Sequence, residues 1–331
     1  MTELTCLELC AGGGGQALGL ERAGFVPTGL IEIDPDCCAT LRANRPDWPV
    51  RQGDITHTTG SSRGSSPALL AAGLPCTPHS RGGHQLGAAD GRYLWHSALR
   101  IIAEVRPRAV MLETSSSIMI PGFDLERTRT LTALKRLDYR TTWGVIDASD
   151  FGVPQRRKRA VLIAFSDPGE FWNFIWPAPV YPGIPLTVGA ALYPLAAANG
   201  WAGARYWAGR ARDVAPTVTG GSTRHGGPDL GASQGKAAWR KLGIDPMGIA
   251  DAAPGPDGKY ARGGGRTGDA GETGLMLTVE MAARLQGFPP EWTFCGGKTA
   301  RYRQVGNAFP PPAAAVIGIA IRTALTGRET A

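Results

Sequence analysis

Cys76 lies between two prolines in Gly73-Leu74-Pro75-Cys76-Thr77-Pro78-His79-Ser80, straight after the apolar run 68–72. An apolar run of that length, ended by proline, reads as a short buried strand. The thiol is then offered on a stiff loop at a strand's carboxyl end, the edge at which open α/β sheets bind ligands. That makes it a candidate nucleophile; a buried structural cysteine is the plainer alternative. Upstream, Ala11-Gly12-Gly13-Gly14-Gly15 separates a short apolar segment from a helix-like one. Strand, glycine turn and helix open a nucleotide-binding βα unit, although a flexible turn accounts for glycines equally well. Glu32 follows some 20 residues later, where a carboxylate accepts both hydroxyls of a ribose. Asp54, one strand further on, suits an adenine amino group. For either acid a helix cap or turn is the competing role.

The elements that must hold these residues alternate. Strands are expected at 5–9, 28–33, 68–72, 108–112, 140–146 and 159–165. Helices are expected after the glycine turn and at 35–44, 93–105 and 124–137. Such alternation argues for an α/β, doubly wound, mainly parallel Rossmann-like sheet. From about 168 the composition changes: Trp, Pro and Gly rise and periodicity fades, so a small loop-rich domain is expected at 168–290. Order returns with helices near 277–286 and 312–323. The domains read as 1–167, 168–290 and a C-terminal segment 291–331.

The chain has 331 residues, a net charge of +7 and far more arginine than lysine. A basic balance favours an anionic partner, and arginine suits phosphate and guanine edges; a GC-rich genome raises arginine as well. The six cysteines form no Cys-x-x-Cys pair, which argues against zinc and against a disulfide framework. The N-terminus lacks a signal-peptide pattern and no apolar run approaches membrane-spanning length, so a cytoplasmic protein is expected.

In this order, Ala11-Gly-x-Gly-Gly, Glu32, Asp54, Pro75-Cys76, Glu113, Gln155-x-Arg157-x-Arg159 and Gln304-x-Gly-Asn307 resemble the motifs of the DNA cytosine-5 methyltransferases. The likeness covers 5–165 and 278–322. It implies a sheet domain binding S-adenosylmethionine and a target-recognition domain facing double-stranded DNA. It also implies methyl transfer to C5 of a flipped-out cytosine through a Cys76–C6 adduct. On the catalytic side it assigns N3 protonation to Glu113 and the cytosine O2 to Arg159, with Arg157 beside it. On the cofactor side Cys10, Ala11, Gly12, Gly13, Gly14 and Gly15 cradle the methionine end, Glu32 with Ile33 the ribose, and Asp54 with Ile55 the adenine. Pro75 and Leu94 pack beside the cofactor, and Asn307 with Ala308 closes the carboxylate side. For DNA, the glycine-rich 81–92 loop closes over the flipped base. Ser80, Arg81, Gln85, Arg92, Gln155, Thr217, Thr219 and Arg224 are the expected contacts. A monomer is expected, in a bacterial or phage setting, with a restriction endonuclease as genetic partner and association with the nucleoid.

This chain departs from the family pattern in Glu113-Thr114-Ser115, where Glu-Asn-Val is usual, and in Thr77, His79 and Cys10. Intact methylation is the first expectation. A pocket in which His79, Thr114 and Ser115 select another donor, such as carboxy-S-adenosylmethionine, is the second. An RNA cytosine methyltransferase, a non-catalytic DNA-binding protein and a nicotinamide dehydrogenase are the further alternatives. The last leaves the Pro-Cys and Gln-x-Arg-x-Arg patterns unexplained.

Overall fold

The structure, a computed structural model, describes residues 3–59, 66–75, 94–180, 186–220 and 229–327. Cys76, His79, Ser80, Arg81, Gln85, Arg92 and Arg224 lie outside these residues.

In chain order come β1 (Thr5–Leu9), α1 (Gly15–Arg22), β2 (Val26–Glu32), α2 (Pro35–Asn44), β3 (Val50–Gln52), β4 (Leu69–Gly73), α3 (Trp95–Val105), β5 (Ala109–Ser115), α4 (Asp124–Arg136), β6 (Arg140–Asp147) and β7 (Lys158–Phe165). The sheet order is β3-β2-β1-β4-β5-β7-β6. All pairings from β3 to β5 are parallel, and β7 runs antiparallel to β5. The mainly parallel, doubly wound sheet expected from sequence is thus the fold. Its strand order reverses between β1 and β4, and such a switch point opens a crevice at the strands' carboxyl ends.

Local chemistry sets these boundaries. β4 reads Leu-Leu-Ala-Ala-Gly and is buried through Ala72, as a strand covered on both faces requires. α2 starts at Pro35, and Asp34 accepts from the Asp36 and Cys37 N–H groups at 2.9 and 3.4 Å, a proline start with an acidic cap. α3 buries Trp95, Ala98, Ile101, Ile102 and Val105, the spacing of one helical face. That face joins Leu9, Ile31, Ile55, Leu70, Leu74 and Leu112 in one apolar cluster.

The remaining elements are α5 (Pro168–Asn173), α6 (Val188–Ala196), α7 (Ala204–Arg210), α8 (Ser233–Lys241), the hairpin β8 (Lys259–Ala261) and β9 (Thr267–Asp269), α9 (Val279–Leu285), α10 (Lys298–Asn307) and α11 (Pro311–Thr326). Two units form: one of residues 1–146, 158–178 and 313–331, the other of 147–157 and 179–312. Composition placed these borders elsewhere, at 167 and 290. Residues 168–178 join the first unit because Phe174 packs on Phe165 at 5.7 Å and Trp176 lies over Gly144 of β6. Residues 147–157 join the second through the buried Gln155 and Arg157.

Lys298–Thr326 is long and apolar enough to cross a membrane by length and composition, but 61% of its apolar window is buried within the protein. Within the first unit, α11 lies close against α1. A Cβ on Gly318 would come 2.7 Å from Ala23 Cβ and 3.1 Å from Leu20 Cδ2. Overpacking of this kind costs about 1–3 kcal/mol. Gly318→Val is therefore expected to lower the urea midpoint by that amount of stability without changing the slope; an unchanged midpoint would show that α11 does not rest on α1.

Candidate active site

Three strand ends of the first unit, those of β1, β2 and β3, collect the first acids and glycines. After β1, Cys10 and Gly12 turn at positive φ, 55° and 54°, and α1 begins behind Gly14. A Cβ added to Gly12 would meet nothing within 4 Å, so the turn faces open space. At the end of β2, both oxygens of Glu32 are held by backbone: Gly12 N–H donates to Oε2 at 2.7 Å and Asp34 N–H to Oε1 at 2.8 Å. The carboxylate is thereby fixed beside the glycine turn, and each oxygen keeps a lone pair free of backbone. Ile33 beside it is 62% exposed, available to a ligand. After β3, Asp54 accepts from Thr56 N–H at 2.8 Å. That hydrogen bond, the Thr56 hydroxyl and His57 hold its pKa below the ordinary value against a smaller opposing effect of burial. Ile55 is buried in the apolar cluster that Leu94 also packs against.

Cys10, half-buried here, is the wrong thiol for nucleophilic work. Burial first, then the charges of Glu32, Asp54 and Glu8, push its pKa well above the usual range. Without thiolate it does not attack.

At the ends of β4 and β5 lies the second cluster. Gly73 pairs with Glu113, and the Leu74 N–H donates to the Glu113 carbonyl at 2.9 Å. The chain therefore stays in register with β5 up to Pro75. Across β5 and β7, Ser115 opposes Arg159 and Glu113 opposes Val161. Glu113 and Arg159 are diagonal neighbours on one face. Their side chains, 6% and 14% exposed, form an ion pair with Arg159 Nε 2.9 Å from Glu113 Oε1. Thr114 points to no free surface: it is fully buried. The Ser115 hydroxyl donates to Ser117 Oγ and accepts the Ser117 N–H, both at 3.3 Å. Ser115 thus caps the following turn.

The second unit corrects two expectations. Arg157, expected beside the base, is 1% exposed. Its two terminal nitrogens donate to the carbonyls of Val218 and Gly306, each at 2.8 Å. Gln155, expected on DNA, is fully buried. Its amide donates to Leu285 O and Gln286 Oε1 at 3.0 and 2.6 Å, and its carbonyl accepts from Val218 N–H at 2.7 Å. Both side chains brace backbone because these loops lack strand partners and their polar groups must still be satisfied. Thr217 donates to Arg156 O at 2.7 Å, and Thr219 lies 3.5 Å from Asp229 O. Asn307 closes this knot: its Oδ1 would be 2.2 Å from a Cβ on Gly220. Ala308 follows, its carbonyl accepting from Gln286 Nε2 at 3.2 Å. Gln286, a polar side chain inside the otherwise apolar Leu285-Gln286-Gly287-Phe288 run, completes this buried network by donating to Val305 O at 2.7 Å.

Residues 4–185 and 258–323 match the family of C-5 cytosine-specific DNA methylases. The chain belongs to the C-5 cytosine-specific DNA methylase family. This methyltransferase is 45% identical to the type II methyltransferase M.NaeI of Lentzea aerocolonigenes, over the whole of this chain and 78% of that one. It is 40% identical to M.NgoMIV of Neisseria gonorrhoeae over 98% of each. In fold it resembles DNMT2 of Spodoptera frugiperda, with TM-score 0.64, 14% identity and coverage of 96% and 99%. It also resembles the methyltransferase EhMeth of Entamoeba histolytica, with TM-score 0.62, 14% identity and coverage of 99% of each.

One further acid of the methyltransferase was not expected. Glu8, in the central strand β1, is 3% exposed and its Oε1 has no hydrogen-bond partner among the described residues. Burial, opposed by Gln16 and reinforced by Glu32, raises its pKa to about 8. The unfolded carboxyl ionises near ~4.3. Folding therefore retains a proton that the unfolded chain has lost, and stability falls as pH rises between those values by up to about 1.4 kcal/mol per unit. Glu8→Gln is expected to flatten the dependence of urea stability on pH between 5 and 8 and to be the more stable form at pH 8. An unaltered slope refutes the buried protonated acid.

Gln155→Leu is expected to cost about 3 kcal/mol or more in the same urea assay, because it strands Val218 N–H and the Gln286 amide in the interior. A cost below about 1 kcal/mol would restore Gln155 as a solvent-facing residue.

Proposed function

We propose that this DNA cytosine methyltransferase takes its methyl group from S-adenosylmethionine. The methyl goes to C5 of a cytosine flipped out of double-stranded DNA, through a covalent bond between Cys76 Sγ and C6. The observation that carries the reading is the buried Glu113–Arg159 pair beside the point where β4 runs out through Leu74 and Pro75. Cys76 follows Pro75 directly in the sequence.

Carbon 5 of cytosine is a weak nucleophile. A sulfur on C6 makes C5 enamine-like. Only a few per cent of an ordinary thiol is ionised at pH 7, so the site must favour the thiolate. Glu113 takes up a proton as the base enters and gives it to N3 when C6 is attacked, relieving the charge that develops on the ring, and Arg159 holds O2. These two groups meet a pyrimidine's polar edge as one unit because their ion pair already orients them. Elimination of Cys76 after loss of the C5 proton frees the product.

The described residues of the first unit fit a nucleoside cofactor. Glu32 is fixed by two N–H groups beside a glycine turn that opens to space, which suits ribose hydroxyls. Asp54 stays a carboxylate at neutral pH, ready for an adenine amine. S-adenosylmethionine, when bound there, supplies a methyl made electrophilic by its sulfonium. Ile33 and Ile55 give the adenosine apolar contact. The target base inside a duplex is out of reach, so it is extruded at a cost of a few kcal/mol. Ser80, Arg81, Gln85 and Arg92, with Thr217, Thr219 and Arg224, read the DNA. The relatives are named as type II methyltransferases, which favours a restriction endonuclease as genetic partner.

Incubation with duplex DNA and S-adenosylmethionine, followed by digestion and mass analysis of nucleosides, is expected to yield 5-methylcytosine. Cys76→Ser abolishes it and abolishes the covalent complex with 5-fluorocytosine DNA. Glu113→Gln lowers kcat by about 10²–10⁴-fold. Product from Cys76→Ser, or a modified cytosine heavier than the methyl form, would overturn the assignment.

A further inference from the structure

Arg100 reaches out of α3 onto the turn that carries Asp54 and Ile55. Its Nη2 donates to Ile55 O at 2.9 Å and Thr58 O at 2.8 Å, with Thr56 O at 3.4 Å. Its Nη1 donates to Glu104 Oε1 at 2.8 Å, one helical turn along. The turn itself is a closed loop of hydrogen bonds. His57 N–H and Thr58 N–H both donate to Asp54 O at 3.1 Å, and the Thr58 hydroxyl does so at 2.9 Å. Thr56 N–H donates to the Asp54 carboxylate at 2.8 Å. These bonds use the N–H groups and leave the carbonyls aimed the other way, like the end of a helix. A guanidinium with several fixed donors satisfies them together and offsets their partial negative charge. The planar fork lets Nη2 serve the carbonyls while Nη1 stays tied to Glu104, which the single nitrogen of a lysine cannot do in the same fixed geometry.

The helix that supplies Arg100 opens at Leu94, and its buried face shares one apolar cluster with Ile55. One side chain therefore sets the register between the Asp54–Ile55 turn and Leu94. We propose that Arg100 is a positioning residue for adenine recognition: it fixes Asp54 and Ile55 relative to Leu94 without touching the cofactor. This rests on the reading of Asp54 as the acceptor of the adenine amine.

The test compares S-adenosyl-L-homocysteine with S-inosyl-L-homocysteine, which carries an oxygen in place of that amine, by titration calorimetry. The wild type is expected to prefer the adenosyl compound by about tenfold or more, and Asp54→Ala to bring the ratio to within about threefold. Arg100→Ala should reduce it similarly and raise KM for S-adenosylmethionine about tenfold, with kcat at saturating cofactor changed less than about twofold. Arg100→Lys should keep an intermediate ratio. A merely stabilising arginine would lower the melting temperature and leave the base preference intact. If Asp54→Ala abolishes the preference and folded Arg100→Ala keeps it, the inference is wrong while the reading of Asp54 stands. If Asp54→Ala keeps the preference, that reading fails and takes the inference with it. Should Arg100→Ala not fold, Arg100→Lys decides alone, and an unchanged ratio in it counts against the proposal.

Discussion

The buried ion pair between Glu113 and Arg159 demands that β7 run against β5. In a wholly parallel sheet the carboxyl end of β5 would sit beside Phe165, and Arg159 would lie at the opposite edge. The reversal brings the start of β7 to the end of β5 and puts the guanidinium diagonally across from the carboxylate. Two buried charges are tolerable only as partners, so the pair and the strand direction support one another. The same edge receives β4, whose last residues stay hydrogen-bonded to β5 as far as Leu74. Three strands thus bring an acid, its paired cation and the segment leading to Cys76 to one place.

The second unit solves a different problem. Its chain is rich in loops, so its backbone groups lack ladder partners. Gln155, Arg157 and Gln286 take that role from the interior, bonding to Val218, Leu285, Val305, Gly306 and Ala308. A polar network of this kind holds a unique arrangement only when each member is satisfied. It also explains why glycine stands at 220 and 306: a Cβ on either would run into the other's segment. Residues expected on DNA from their motif are spent here on holding loops.

The arginine excess has the same lesson. Arg100 binds carbonyls, Arg45 pairs with Glu21, Arg108 with Glu170 and Arg127 with Asp124. Much of the basic composition therefore serves the fold. Net charge indicates an anionic partner but does not say which arginines meet it.

Strand and helix order, the glycine turn, and the acids at strand ends could be read directly, because each depends on neighbours close in sequence: a proline after an apolar run, an acid before Pro35, one apolar face in α3. The family was legible for the same reason, its motifs being short and ordered. Three things could not be read. Arg157 and Arg159 are two residues apart and look alike, yet one clamps Val218 and Gly306 while the other pairs with Glu113, since which partner a charge meets is decided by segments distant in the chain. Glu8 is an ordinary acid in the sequence and becomes a protonated one only because a sheet and α1 exclude water from it. Arg100 acquires its carbonyls only when α3 is laid beside the 54–58 turn. Residue type and local spacing determined which chemistry was available; burial and long-range pairing decided which side chains could perform it.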